Sequence, residues 1–381
     1  MHLARPAVNF IRVTDQAGNS VQTYDALLVV SFGGPEAMDD VMPFLENVTR
    51  GRGIPRERLV GVAHHYELFG GVSPINEQNR RLISALRAEL DRHGPRLPVY
   101  WGNRNWHPLL ADKLRQMRDD GIGRALAFVT SAYSSYSGCR QYREDIERAR
   151  AAVGEDAPAV DKLRAFYNHP GFVGPNAENL SAALAQIPAE RRADARVAFT
   201  AHSIPGAMAA GCDYEAQLNE TCRLVAERAG AQHWRLVFQS RSGSPQQPWL
   251  EPDICDHLRD LKAAGATDAV VHPVGFISDH MEVLYDLDTE ARQVAAEIGL
   301  NMIRAATVGT HPAFVRMIRE LIDERTSGDA ERPALGTRGA SHDVCPADCC
   351  LPGAARPAAA AATRDAHAPT TVFTDERGAA G

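Results

Sequence analysis

The chain has 381 residues, 44% of them hydrophobic and 23% charged, which is enough to fill the cores of two ordinary domains and excludes a single small one. Its formal net charge of -7, with Lys113, Lys162 and Lys262 as the only lysines among many arginines, excludes a basic nucleic-acid footprint. No stretch approaches eighteen apolar residues and the start, MHLARPAVNFIRV, lacks a continuous apolar segment. Neither a spanning helix nor a secretory signal is expected, and the expected address is the cytoplasm.

After a polar leader (1–22), YDALLVVSF (24–32) is a continuous apolar run of the length expected for a strand buried on both faces, and it ends at Gly33-Gly34-Pro35. Similar runs at 97–101, 124–131, 196–201, 235–240 and 268–276 predict further strands. Helical periodicity lies between them. Leu82, Ile83, Leu86 and Leu90 share one face over 75–90, and Leu218, Cys222, Val225 and Ala229 do so over 214–230, before a glycine stop. Strand alternating with helix predicts an α/β fold with parallel sheets covered on both sides. The pattern runs twice, with NHPGFVGPN (168–176) as a Gly/Pro-rich break, so the halves are placed at 23–168 and 169–325. The second includes a last amphipathic helix over 311–324. From 326 to 381 apolar periodicity is lost, as in a disordered tail, except for the cysteines of VCPADCC (344–350).

In open parallel sheets ligands bind beyond the carboxyl ends of the strands, which makes the residues after each apolar run the informative ones. AFTAHSIPGAM (198–208) sets His202 at such an end, where the competing reading is a hydrogen-bonded core histidine. GFISDHMEVLYDLDTEA (275–291) follows another strand. As a helix it would carry Glu282, Asp286 and Glu290 along one face, a like-charge ladder that either coats a surface or serves a site. Imidazole and carboxylates together suit a divalent first-row metal such as Fe2+. The zinc-protease HExxH and the hydrolase GxSxG are absent, and SFGGPEAMDD (31–40) lacks the GxGxxG spacing of a dinucleotide site.

Five stretches in order, LLVVSFGGPE, FGGVSPIN (69–76), AFTAHSIP, FQSRSGSPQQPWLEPD (238–253) and HPVGFISDHMEVLYDLD (272–288), resemble the ferrochelatase family, over roughly residues 24–325. The resemblance implies two Rossmann-like, doubly wound halves with the active-site cleft between them, and insertion of Fe2+ into a porphyrin. It implies His202 at the pyrrole nitrogens with Glu282 as its partner carboxylate. Behind Glu282, Asp286 and Glu290 are a possible relay for iron or protons. Arg50, Arg52 and Ser73 are candidates to hold propionates, Arg through bidentate bonds, and Tyr142 is another. Where some bacterial members carry a tyrosine that can touch the metal, this chain has Phe32, an apolar contact for the porphyrin face. The bacterial branch that carries a cysteine tail implies coproporphyrin III as the substrate, with protoporphyrin IX as the alternative. A cobalt or nickel chelatase and a non-catalytic haem carrier or regulator on the same fold are the rival readings. VMPFLENV (41–48) is an apolar lip over the cleft for contact with a membrane or a neighbouring haem-pathway enzyme, with core packing as the plain alternative.

Seven cysteines in a reducing compartment point to a metal site rather than disulfides. By the same resemblance, Cys345, Cys349 and Cys350 with Cys139 from the first half are the four ligands of a 2Fe-2S cluster, a structural zinc and an unligated tail being the rivals. The adjacent pair 349–350 can ligate together only on an irregular backbone. Cys212, Cys222 and Cys255 are read as small core residues in helices.

Overall fold

The computed structural model describes residues 23–51, 53–242, 246–327 and 330–353. The leader 1–22, Arg52 and residues 354–381 of the tail lie outside the described residues. In the first half β1 (Ala26–Ser31), β2 (Val99–Asn103), β3 (Arg124–Val129) and β4 (Ala159–Lys162) form one sheet. In the second half β5 (Arg196–His202), β6 (Trp234–Gln239), β7 (Asp268–His272) and β8 (Asn301–Arg304) form another. All pairings are parallel, and the orders β2-β1-β3-β4 and β6-β5-β7-β8 are the same, so the doubled pattern is a doubled topology. β1 is buried along its whole length, as a strand covered on both faces must be.

The predicted helices are present as Ile75–His93, Tyr214–Ala229 and Pro312–Thr326. The stretch 168–176 is not a loop. His169 caps a helix, Pro170–Leu184, with its Nδ1 accepting the Gly171 N–H at 3.0 Å. Pro170 occupies a first-turn position, where its missing N–H leaves no bond unmade. Gly171 allows close packing, since a Cβ there would lie 2.7 Å from Met317 Cβ and 2.8 Å from the Ala313 carbonyl of the last helix. The interior here is continuous between the halves. Phe128 and Phe166 stack at 5.4 Å, Phe314 lies 5.9 Å from Phe166, and the cluster extends to Phe199 and Val270. Arg164 adds a fully buried fork onto Glu324 of the last helix, with bonds of 2.6 and 2.8 Å.

Residues 330–353 carry neither helix nor strand, yet they are tied to the body. Leu335 N–H donates to the Asn168 carbonyl at 2.8 Å, and the Asn168 amide donates to Gly339 O at 2.8 Å. Backbone carbonyls bonded by side chains of the body here replace the periodic ladder that a sequence pattern can reveal. Of the lip, Val41, Phe44 and Leu45 turn inward against Tyr66 and Met281, so its apolar side is core packing. No helix among the described residues is long and apolar enough to cross a membrane.

Candidate active site

With the strand order read above, each sheet reverses its winding beside its first strand, and the ends of β5 and β7 flank the reversal in the second half. β5 ends on His202. After β7 the chain runs to His280, whose Nδ1 accepts the Glu282 N–H at 3.2 Å and starts a short helix, Met281–Tyr285. His202 Nε2 and Glu282 Oε1 are thereby brought to 3.5 Å, 80 positions apart in the chain. The carbonyl of His202 accepts the Tyr214 hydroxyl at 3.0 Å, which fixes the strand end.

His202 has an acceptor at both ring nitrogens: Nδ1 meets the Ser203 carbonyl and Nε2 meets Glu282. A neutral imidazole has one N–H and could satisfy only one of them, so this setting selects the imidazolium. Burial disfavours that charge, but the carboxylate and hydrogen bond of Glu282 outweigh it and raise His202 to about 9. Glu282 is likewise penalised by burial, and the His202 charge and bond overcome that to lower it to about 2. The pair is still open to solvent, which reaches 33% of the His202 side chain and 46% of the Glu282 side chain.

The helix then widens. Residues Asp286–Ala291 form a π turn, in which the Arg292 N–H reaches back five residues to Leu287 O. Asp286 faces the strand end of β6, accepting the Ser240 hydroxyl and, at 3.3 Å, the Gln239 amide. Gln239 also donates to the Glu282 carbonyl at 3.0 Å. Ser240 has φ of 61°, a left-handed conformation uncommon for serine and of the kind stored at functional sites. Desolvation raises Asp286 to about 7; the Ser240 bond opposes the rise, while the charges of Glu282 and Glu290 add to it. Glu290 is exposed at the outer end of the ladder, and its pKa is raised by partial burial and by Asp253.

The first half closes over this group. Tyr66 is buried, and both burial and the Glu282 charge push its hydroxyl upward. His65 stacks on Tyr285 with ring centroids 3.6 Å apart. Phe32 follows β1, is 36% exposed, and lies with its ring 6.2 Å from Phe44 and 5.8 Å from the Arg104 guanidinium. Tyr142 is buried, with Arg104 4.4 Å above its ring, so it is a core tyrosine rather than an open wall of the cleft. Ser73 is buried under the 33–35 turn, where a Cβ on Gly34 would lie 2.7 Å from its own Cβ. Arg50 is exposed, and Arg52 lies outside the described residues. His202, Glu282 and Asp286 therefore converge, Phe32 keeps an open face, and Ser73 and Tyr142 do not. Gln239, Ser240 and Tyr66 were not singled out from sequence. The strand-end rule that selected His202 also covers Gln239 and Ser240.

Four of the cysteines form a second cluster of side chains. Cys139 lies in another π turn, Tyr136–Arg140, after β3. Its thiol, raised by its contact with the Cys345 thiol and by burial, lines a pocket with Cys345, Cys349 and Cys350 and with Arg140, Arg143 and Lys162. The Cys349 and Cys350 sulfurs are 3.4 Å apart, and Cys350 has φ of 55°, the irregular backbone that adjacent inward cysteines require. Arg140 donates to Ala347 O at 2.7 Å and to Cys349 O at 3.0 Å, and Arg143 to Cys345 O at 3.4 Å. Cys222 is buried in its helix, and Cys255 is half-buried in the helix Ile254–Ala263. Cys212 differs from expectation: it sits in a bend before Tyr214, its thiol donating to Met208 O at 3.3 Å.

Comparison with known proteins assigns a family. A ferrochelatase family model matches residues 24–326. A protein named ferrochelatase from Rhodopirellula baltica is 59% identical over 335 residues, covering 88% of this chain and 95% of its own. A coproporphyrin III ferrochelatase from Streptomyces coelicolor is 56% identical over 361 residues, covering 89% and 96%. Among solved structures, SirB from Bacillus subtilis with Fe3+ shares the fold at a TM-score of 0.52 and 11% identity, over 81% of this chain and 99% of that one. The chain belongs to the ferrochelatase family.

Proposed function

We propose that this ferrochelatase inserts Fe2+ into coproporphyrin III to give coproheme, with His202 and Glu282 at the reacting nitrogens. The observation that carries the reading is the His202–Glu282 pair at the switch point of the second sheet, with Asp286 beside it at about 7. The choice of porphyrin rests on the relatives of 52–56% identity named coproporphyrin III ferrochelatase. Insertion joins Fe2+ to a free porphyrin and releases two pyrrole protons, with no change of oxidation state.

Paired with Glu282, His202 is an imidazolium and cannot take a proton. Fe2+ arriving at Glu282 supplies a competing cation for the one carboxylate, which favours loss of the imidazolium proton. Neutral His202 is then a base at its Nε2 for a pyrrole N–H. Asp286, which exchanges a proton near neutrality, and the solvent-facing Glu290 give released protons groups on which to leave. Phe32 offers the macrocycle an apolar ring and no ligand to the iron.

We further infer that Cys139, Cys345, Cys349 and Cys350 hold a 2Fe-2S cluster. The support is four neighbouring thiols within a ring of three cationic side chains, which offsets the negative charge of the thiolates. The cluster would supply a covalent tie between the extension and the first half. The residues themselves orient the thiols through Arg140 and Arg143.

The test is anaerobic mixing of the protein with Fe2+ and either coproporphyrin III or protoporphyrin IX, following loss of the free-base bands. Faster insertion into coproporphyrin is expected. Preference for protoporphyrin would overturn the substrate, and no insertion by folded protein would overturn the reading altogether.

A further inference from the structure

Four thiols line the cysteine pocket, and a fifth donor lies beside two of them. His342 is exposed at its mouth, and its ring nitrogen and the sulfurs of Cys345 and Cys349 all lie within 4.8 Å of one another. Cys139 touches Cys345 from the first half, and Cys350 is buried beside Cys349. The donors thus stand at three depths: Cys350 and Cys139 are buried, Cys345 and Cys349 are half-buried, and His342 is at the surface. A four-thiol set uses every cysteine and leaves His342 aside. A three-thiol, one-imidazole set uses His342 and leaves Cys350 aside, and this is a donor combination that suits a single tetrahedral ion of the zinc class.

We propose that this pocket has a second loading state, in which His342, Cys139, Cys345 and Cys349 bind one thiophilic divalent ion. The inference rests on the reading of these cysteines as a metal pocket, but not on the cluster being present. Binding converts three thiols to thiolates, and three protons leave to solvent; no electron is transferred. The bonds from Arg140 and Arg143 to the carbonyls of Ala347, Cys349 and Cys345 hold the loop in both states; His342, Cys345 and Cys349 are already grouped, and the exchange draws them and Cys139 onto one ion. In this state the extension stays clamped to the first half when the cluster is lost.

Co2+ is the probe, because its sulfur charge-transfer bands report cysteine ligation and are silent to binding at His202 and Glu282, which offer no sulfur. The full-length protein, stripped of cluster anaerobically, is titrated with Co2+, with circular dichroism to establish folding. One tetrahedral, sulfur-ligated Co2+ per chain is expected. His342→Ala, a change at an exposed position, should keep the cluster spectrum after reconstitution. It should weaken Co2+ binding by more than the roughly 10–100-fold that follows loss of an outer-shell partner. Cys350→Ser should do the converse, losing the cluster spectrum and keeping Co2+. Unchanged Co2+ affinity in His342→Ala, or no sulfur-ligated Co2+ in the wild type, overturns the second state. Tight Co2+ binding by a wild type that never assembles a cluster would overturn the cluster reading and leave this one standing.

Discussion

Glu282→Gln keeps the shape of the side chain and removes its charge, which isolates what the carboxylate does to His202. With Glu282 the imidazole titrates at about 9. Without that charge the strongest raising influence is gone; burial, His202's largest single influence, still disfavours the cation, while the Ser203 carbonyl and the Asp286 charge still favour it. The midpoint then falls toward the ordinary 6.5. A drop from about 9 to 6.5 is roughly a three-hundred-fold loss of proton affinity. Water reaches a third of the imidazole and nearly half of the carboxylate and screens their attraction, so a fall of at least about one pH unit is the minimum expected. The assay is an NMR titration of the His202 ring protons in the folded, metal-free protein, with His202→Ala to assign the signal. A midpoint within a few tenths of the wild-type value would refute the argument that Glu282 holds the proton on His202. Stability carries the same signature. His202 binds its proton more tightly folded than unfolded, so its contribution is complete below pH 6.5 and lost as pH rises through about 9. Glu282 has the opposite sign, with a contribution complete above 4.5 and lost as pH falls through about 2.

Three further outcomes are expected. Asp286 has its pKa raised, so folding opposes its ionisation and stability declines from pH 3.8 to about 7. Asp286→Asn should remove that decline along with any limb of the insertion rate near pH 7, and a wild-type pH profile in the variant would count against the relay. Cys349→Ser should bleach the visible cluster bands and lower the melting temperature; retained bands would exclude Cys349 as a ligand. Arg164→Ala strands Glu324 in the core, since Arg332 at 3.8 Å is too distant to replace the fork, and should cost about 3–5 kcal/mol in denaturant unfolding. A cost below about 1 kcal/mol would mean that water enters to solvate Glu324.

Six of the eight strands could be read from the sequence because they are apolar runs, largely buried. β4 (AVDK) and β8 (NMIR) could not: they are four-residue edge strands, only partly buried, with charged or polar residues that break the apolar pattern. The break at 168–176 misled for a chemical reason. Gly and Pro punctuate loops, but here Pro170 starts a helix and Gly171 brings it against its neighbour. At the site, His202 and Glu282 were legible from strand-end position and the ordered motifs. Tyr66 was not, because nothing local in RERLVGVAHHYE marks a tyrosine that meets Glu282 across 216 positions. Arg104 escaped notice for the same reason. Its stacking on Tyr142 and its ion pair with Asp145 exist only once the chain is folded.

The two π turns, Tyr136–Arg140 and Asp286–Ala291, occupy equivalent places, each in the crossover that follows the third strand of its half. A π turn is an α-helix carrying one residue too many, so each acts as a phase shifter between the chain before it and the helix after it. Without the extra residue, the orientation that aims Cys139 or Glu282 at its partners would also dictate which side of the following helix meets the sheet. One residue corresponds to about 100° of rotation. Deleting one residue from either turn would therefore leave the topology intact and force a choice. Either the downstream apolar side chains rotate off their sheet, or the reactive side chain rotates out of its site.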